Sequence, residues 1–142
     1  MSDELFRILL VEDNAADVYL FRKALEHAGL NFELIVIQDG ADALAFVRAE
    51  GKYATRPAPV LAVLDLNLPK NEGMDVLRAI RQSEHLRNMP VVIASSSPDP
   101  RDYVETDACH AERYIMKPID VDEFMKIGLV LKQVILDGKA RT

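Results

Sequence analysis

The run at residues 60–64 constrains the fold more than any other part of the chain. Its five residues, VLAVL, carry no polar side chain, which is typical of a strand buried on both faces of a parallel sheet. The next residue is a carboxylate, Asp65. A charged group at the end of a buried strand costs free energy unless it has a partner, so Asp65 is a candidate functional residue.

Apolar runs alternate with amphipathic stretches along the whole chain, which indicates strands joined by crossover helices. The predicted strands are residues 7–11, 33–37, 60–64, 91–95 and 113–116. The predicted helices are residues 14–29, 41–50, 73–83, about 100–108, and 121 to about 136, with Asn14 and Asp39 as caps of the first two. Residues 52–60 contain two prolines and are predicted to form a connecting loop.

Five strands, each followed by a helix, predict an α/β fold with a doubly wound parallel sheet. The 142 residues are 49% hydrophobic and 28% charged, which suits a single domain over residues 1–142. The net charge of −6 argues against a nucleic-acid-binding surface. We expect a cytoplasmic protein without membrane contact, because the chain has one cysteine, no signal peptide and no apolar stretch long enough to span a membrane.

Polar side chains stand at the carboxyl ends of four predicted strands, where sheets of this kind bind ligands. Glu12 and Asp13 follow the first strand, Asp65 the third, and Lys117 the fifth, while Ser95 ends the fourth. Each alone has a simpler explanation as a cap, turn or loop residue. Their joint placement favours a site: three carboxylates at one point imply a cation, and an all-oxygen set with room for water favours Mg²⁺ over Ca²⁺.

The residue types at these strand ends suit phosphoryl transfer. Lys117 supplies a fixed positive charge and Ser95 a short donor, which together fit a transferring phosphoryl group. Asp65 would then be the nucleophile that forms an acyl phosphate.

Four segments, in this order, resemble the receiver domains of two-component response regulators. They are ILLVEDN at residues 8–14, VLDLNLPKNEG at 63–73, PVVIASSS at 90–97 and YIMKPID at 114–120. The resemblance extends from residue 7 to residue 136, and the four motifs together are highly specific. It implies a flavodoxin-like five-stranded sheet with strand order 2-1-3-4-5.

The resemblance also implies roles for individual residues. Asp65 would accept a phosphoryl group from a histidine kinase, so the protein takes part in its own phosphorylation and dephosphorylation without being an enzyme in its own right. Glu12 and Asp13 match the acidic pair that holds Mg²⁺, and Asp65 and the backbone carbonyl of Asn67 match the further ligands.

The remaining motif residues match the conformational switch of the family. Ser95 matches the hydroxyl that moves toward the phosphoryl oxygens, and Tyr114 the aromatic residue that then turns inward. Lys117 matches the family lysine, and Pro118 the proline that often follows a cis peptide bond. The switched surface would consist of the fourth helix, fifth strand and fifth helix.

Details within the family narrow the subtype. The long 52–60 connection and the LDLNLP and YIMKPIDVDEF segments most resemble single-domain regulators that partner cyanobacterial and bacterial phytochromes, without an output domain. The implied partner is therefore a histidine kinase, with a phytochrome kinase as the candidate. The polar segment between Ser95 and Tyr114 carries two prolines, so the fourth helix is expected to start late or to be short and mobile.

The last predicted helix has more apolar residues than one buried face needs. Its expected core positions are Phe124, Ile127, Leu131 and Val134. Its surplus apolar positions are Met125, Leu129, Leu136 and, in part, Val130 and Ile135. The surplus predicts a homodimer through this helix; the alternative is a wide stripe facing the core.

Three other functions remain as alternatives. A receiver-like module that docks without phosphorylation would need none of the polar strand-end residues. A phosphatase of the haloacid-dehalogenase type usually has a second acid two residues after its aspartate, where this chain has Asn67. A flavin-binding protein would need a phosphate-binding loop after the first strand, where this chain has carboxylates.

Overall fold

The strands form one parallel sheet, as the sequence predicts. The computed structural model describes residues 4–68, 72–96 and 99–140. Its strands are β1 (Phe6–Val11), β2 (Phe32–Ile37), β3 (Leu61–Asp65), β4 (Val91–Ser95) and β5 (Arg113–Met116). They pair in the order β2-β1-β3-β4-β5 with every neighbour parallel. The predicted fold class and strand order are confirmed.

Helices cover both faces of this sheet. They are α1 (Ala15–His27), α2 (Gly40–Val47), α3 (Glu72–Gln82), α4 (Pro100–Ala108) and α5 (Val121–Ala140). The predicted caps are confirmed, because the side chain of Asn14 accepts from the Asp17 amide and that of Asp39 from the Asp42 amide. Helix α5 extends four residues beyond the predicted end, whereas α4 has the predicted bounds and is short, with nine residues.

The predicted 52–60 loop begins with a short 3-10 turn, Gly51–Tyr53, and is fixed against α2. The Tyr53 hydroxyl donates to Asp42 Oδ2 over 2.6 Å. The Arg56 guanidinium donates to the backbone oxygens of Phe46 and Val47 over 2.8 and 3.0 Å. These carbonyls lie at the end of α2, where helix carbonyls lack partners within the helix, so Arg56 stabilises that end.

Strand β3 is the central strand, and its side chains are buried on both faces, as the apolar run predicts. One face packs against α2 and α3, and the other against α1 and α5. The sheet therefore fixes the end of β3, and with it Asp65, between two packed layers. In the described part of the chain, no helix has the length and apolar character needed to span a bilayer.

Helices α1 and α5 approach each other closely beside this sheet. The rings of Phe21 and Phe124 meet edge to face with centroids 4.9 Å apart. Next to this pair, a Cβ atom on Gly128 would lie 1.9 Å from the carbonyl oxygen of Ala24. Only a glycine fits at this position without moving α1 away from α5.

We expect Gly128→Ala to lower the free energy of unfolding by about 1–3 kcal/mol, the usual cost of overpacking. Gly138→Ala, on the same helix, is the matched control, because its Cβ would meet only Pro90 Cγ at 3.7 Å. That control should gain up to about 1 kcal/mol from helix propensity. Urea denaturation measures both variants, and equal stabilisation of the two would contradict the close approach.

Candidate functional site

The three carboxylates predicted at the strand ends come together in the structure. Strands β1 and β3 are neighbours, so their carboxyl ends meet at one edge of the sheet. Carboxylate oxygens of Glu12, Asp13 and Asp65 all lie within 4.8 Å of one another. Glu12 and Asp65 are buried, whereas Asp13 is exposed, so solvent reaches the cluster from the Asp13 side.

The ammonium group of Lys117 lies among the carboxylates and uses all three of its donors. Its Nζ atom is 2.6 Å from Glu12 Oε1, 2.9 Å from Asp17 Oδ2 and 3.2 Å from Asp65 Oδ2. The lysine side chain is only 8% exposed. Lys117 therefore links the ends of β1, β3 and β5 to the first turn of α1.

Asp17 is a member of this cluster that the sequence motifs did not predict. Asp17 lies three residues after the helix cap Asn14, where an acid is ordinarily explained by the helix dipole. Its position could have predicted this membership, because the first turn of the helix that follows β1 lies at the same edge of the sheet as Glu12 and Asp13.

In this cluster, burial and the charge of the ion-pair partner shift the pKa of Glu12, and likewise that of Lys117, in opposite directions. Burial, together with a side-chain hydrogen bond to Asp65, raises the pKa of Glu12 to about 7, although Lys117 opposes the rise. Burial alone would lower the pKa of Lys117, but its hydrogen bonds to Glu12 and Asp17 outweigh that effect, and its pKa is raised. The lysine is therefore a permanent cation at neutral pH.

Asn67 connects the phosphoacceptor candidate to the predicted switch hydroxyl. Its backbone amide donates to Asp65 Oδ1 over 2.8 Å. Its side-chain oxygen accepts from Ser95 Oγ over 2.7 Å and from the Ser96 amide over 3.2 Å. The sequence predicts the Asn67 carbonyl as a metal ligand, and this side-chain contact with Ser95 is an addition to that prediction.

Tyr114 lies beside Ser95, as the predicted pairing of switch residues requires. Its side chain is half-buried in β5. Burial raises the pKa of the Tyr114 hydroxyl, and the Ser95 hydrogen bond opposes that rise. The ring of Tyr114 also contacts the ring of Tyr103 in α4, with centroids 5.8 Å apart. Tyr114 therefore lies between Ser95 and α4.

The cis peptide bond that the family resemblance implies before Pro118 is absent. No peptide bond in the described residues is cis, so the bond between Lys117 and Pro118 is trans. The trans form is the lower in energy for such bonds in the absence of a specific constraint.

The cluster fits a hard divalent cation. Its donors are all carboxylate oxygens, which Mg²⁺ and Mn²⁺ prefer, and the exposed Asp13 leaves room for water ligands. Glu12, Asp13 and Asp65 would hold the ion, whose charge would offset the repulsion among them. The buried ammonium of Lys117 provides part of that compensation in its own right.

Comparison with known proteins is consistent with this site. The family model "Response regulator receiver domain" matches residues 8–127. The response regulator Rcp1 of Synechocystis is 38% identical over 84% of this chain and 82% of its own length. The probable methanogenesis regulatory protein FilR2 of Methanothrix harundinacea is 36% identical over 93% of this chain and 84% of its own length.

Solved structures agree with the sequence matches. The phosphorylated cyanobacterial phytochrome response regulator RcpA superposes with a TM-score of 0.86 at 35% identity, over 94% of this chain and 95% of the other. The Mn²⁺-bound form of Rcp1 superposes with a TM-score of 0.82 at 35% identity, over 89% of this chain and 91% of the other. The predicted resemblance to phytochrome response regulators is confirmed.

We expect Gly73→Ala to displace the loop after Asp65. A Cβ atom on Gly73 would lie 2.5 Å from the Asp65 carbonyl oxygen and 3.1 Å from Leu66 Cα, and neither backbone atom can move without shifting the strand end. The free energy of unfolding should fall by about 1–3 kcal/mol, as measured by urea denaturation. Helix propensity alone predicts the opposite sign, so a more stable variant would show that the contact is unimportant.

Proposed function

The chain belongs to the response regulator receiver domain family, and on this basis we propose that it accepts a phosphoryl group from a histidine kinase on Asp65. Mg²⁺ would be held by Glu12, Asp13, Asp65 and the backbone carbonyl of Asn67. The observation that carries the proposal is the contact of a buried lysine with the carboxylates at the strand ends. A docking module without this chemistry would have no need to bury so many charges, because such burial is costly.

In the proposed reaction, an oxygen of Asp65 bonds to phosphorus while the phosphorus–nitrogen bond of a kinase phosphohistidine breaks. The imidazole nitrogen keeps the electron pair of that bond. The bound cation would neutralise charge on the transferring group. The Asn67 amide and Lys117 fix the two oxygens of Asp65 in place, and Lys117 can donate to a phosphoryl oxygen. Water later attacks the phosphorus, the phosphorus–oxygen bond to Asp65 breaks, and inorganic phosphate leaves while the carboxylate is restored.

We propose that Ser95 and Tyr114 report the phosphoryl group to the surface. Ser95 would exchange its hydrogen bond to Asn67 for one to a phosphoryl oxygen, which favours one of two states of the protein. Tyr114 lies beside Ser95, and its ring contacts that of Tyr103 in α4, so it would couple the hydroxyl to the helix. The responding surface would be that of α4, β5 and α5.

We propose a phytochrome kinase as the partner and the cytoplasm as the place of action. The similarity to RcpA and Rcp1 supports this choice of partner. The similarity to FilR2 shows that relatives with other named roles exist, so other histidine kinases belong in the same assay. In this proposal the residues act as one receiver unit whose output is a binding surface.

We also propose a homodimer through α5 and the edge strand β5. The four expected core positions of α5 are buried, and so is Ile135, while Met125 packs against the same core. Fewer of the surplus apolar residues of α5 are therefore exposed than predicted. The most exposed of them is Leu129, at 53%. Beside it, an open groove of about 470 Å³ is lined by Arg113, Ile115, Leu129, Val130 and Gln133.

Leu129→Glu should shift the protein from dimer to monomer, because it places a charge in the apolar part of this groove. Tyr19→Glu, at an exposed position on α1, is the control and should leave the mass unchanged. Light scattering at micromolar concentration, with and without a phosphoryl analogue, measures the mass. A native protein that is monomeric under both conditions would rule out the proposed dimer.

Incubation with acetyl phosphate and Mg²⁺ should add one phosphoryl group to the native protein, as measured by intact mass spectrometry. The gain should disappear with a chelator and in Asp65→Asn, because the amide is not a nucleophile. Phosphotransfer from a purified phytochrome kinase tests the partner. If neither donor labels the native protein, the protein is a docking module instead.

A further inference from the structure

Asp17 is a carboxylate of the site that the proposed chemistry leaves without a role. Its Oδ2 atom lies 2.9 Å from Lys117 Nζ, and its side chain is 23% exposed. Among the described residues, the carboxylates close enough to share one cation are those of Glu12, Asp13 and Asp65. Asp17 does not belong to this group. Its contact in the site is therefore with the lysine.

The other two partners of Lys117 have further tasks in the proposed function. Glu12 would share its oxygens with the cation, and an oxygen of Asp65 would become part of the acyl phosphate. Of the three acceptors, only Asp17 can still accept from the ammonium without also binding the cation or carrying the phosphoryl group. A lysine has a long flexible stem, so losing its partners would release the ammonium from the strand end.

We propose that Asp17 is a positioning residue that acts through Lys117, an inference that rests on the proposed function. Asp17 holds one N–H of the ammonium toward α1. The group thereby stays beside Asp65, with a donor available for a phosphoryl oxygen. A hydrogen bond between two charged groups is about twice as strong as one between neutral groups, so the charge of Asp17 matters to this task.

A purely structural role for Asp17 must be separated from this one. An acid in the first turn of a helix stabilises that helix by about 0.3–1 kcal/mol. Asp42 provides the matched comparison: it lies in the first turn of α2, three residues after the cap Asp39, as Asp17 does after Asn14. Asp42 contacts Tyr53 and Lys52 instead of Lys117.

The test compares Asp17→Asn and Asp42→Asn in the full chain, with beryllofluoride in excess Mg²⁺ as the phosphoryl analogue. Asp17→Asn should weaken beryllofluoride binding about tenfold, the effect of one lost charge-assisted contact. Asp42→Asn should bind within about twofold of the native protein on the same scale. Equal affinity, or tighter binding, in Asp17→Asn would overturn the proposal.

A second readout needs neither metal nor analogue. In chelator, the side-chain ammonium of ¹⁵N-labelled Lys117 should give a slowly exchanging signal in the native protein and in Asp42→Asn. That signal should broaden or vanish in Asp17→Asn, because a donor is freed to water. A helix-stabilising role for Asp17 would leave the signal unchanged in Asp17→Asn, and that result would also overturn the proposal.

Asp17→Glu serves as the second variant, because it keeps both the charge and the helix position. It should recover most of the affinity that Asp17→Asn loses, and an equal loss in both variants would count against positioning by charge. If the native protein binds no beryllofluoride, the proposed function fails and this inference falls with it. If the native protein binds and Asp17→Asn matches it, only the inference fails.

Discussion

The buried ammonium of Lys117 is the interaction on which the rest of the site depends. It joins β5 to residues that lie 105, 100 and 52 positions earlier in the chain, namely Glu12, Asp17 and Asp65. Like charges packed this closely would repel one another and drive the strand ends apart. Because the lysine sits among them, the carboxylates can be held close together and largely out of water before any cation or phosphoryl group arrives.

A chain of contacts leads from this ion cluster to the surface that the proposed switch would use. Asn67 touches Asp65 through its amide and Ser95 through its side chain. Ser95 in turn contacts Tyr114, whose ring meets Tyr103 on α4. A change of charge at Asp65 therefore has a continuous route of polar and aromatic contacts to the surface of α4 and β5.

Much of this site follows from local sequence because a parallel sheet brings strand ends together. The apolar run before Asp65 predicts a buried strand, and the polar residues after the other strands then converge by topology. The order of the strands required the family resemblance, because alternation of strands and helices fits several orders. The sequence therefore predicts that a group of strand-end residues lies together, namely Glu12, Asp13, Asp65, Ser95 and Lys117.

Other features depend on tertiary packing that local sequence does not encode. Asp17 has the ordinary sequence of a first-turn acid, and its pairing with Lys117 joins residues 100 positions apart. The side-chain bond from Ser95 to Asn67 likewise depends on how two loops meet. On α5, Met125 and Ile135 belong to the core because neighbouring elements widen the buried face. Helical periodicity does not reveal that width.

The most direct test of the account is the stability of Lys117→Met, measured by urea denaturation in chelator and in saturating Mg²⁺. In chelator, the variant should lose about 3 kcal/mol relative to the native protein, because buried carboxylates lose their counter-charge. Mg²⁺ should stabilise the variant more than the native protein, since the cation replaces the missing charge. A variant as stable as the native protein in chelator, or equal stabilisation of both by Mg²⁺, would contradict the account.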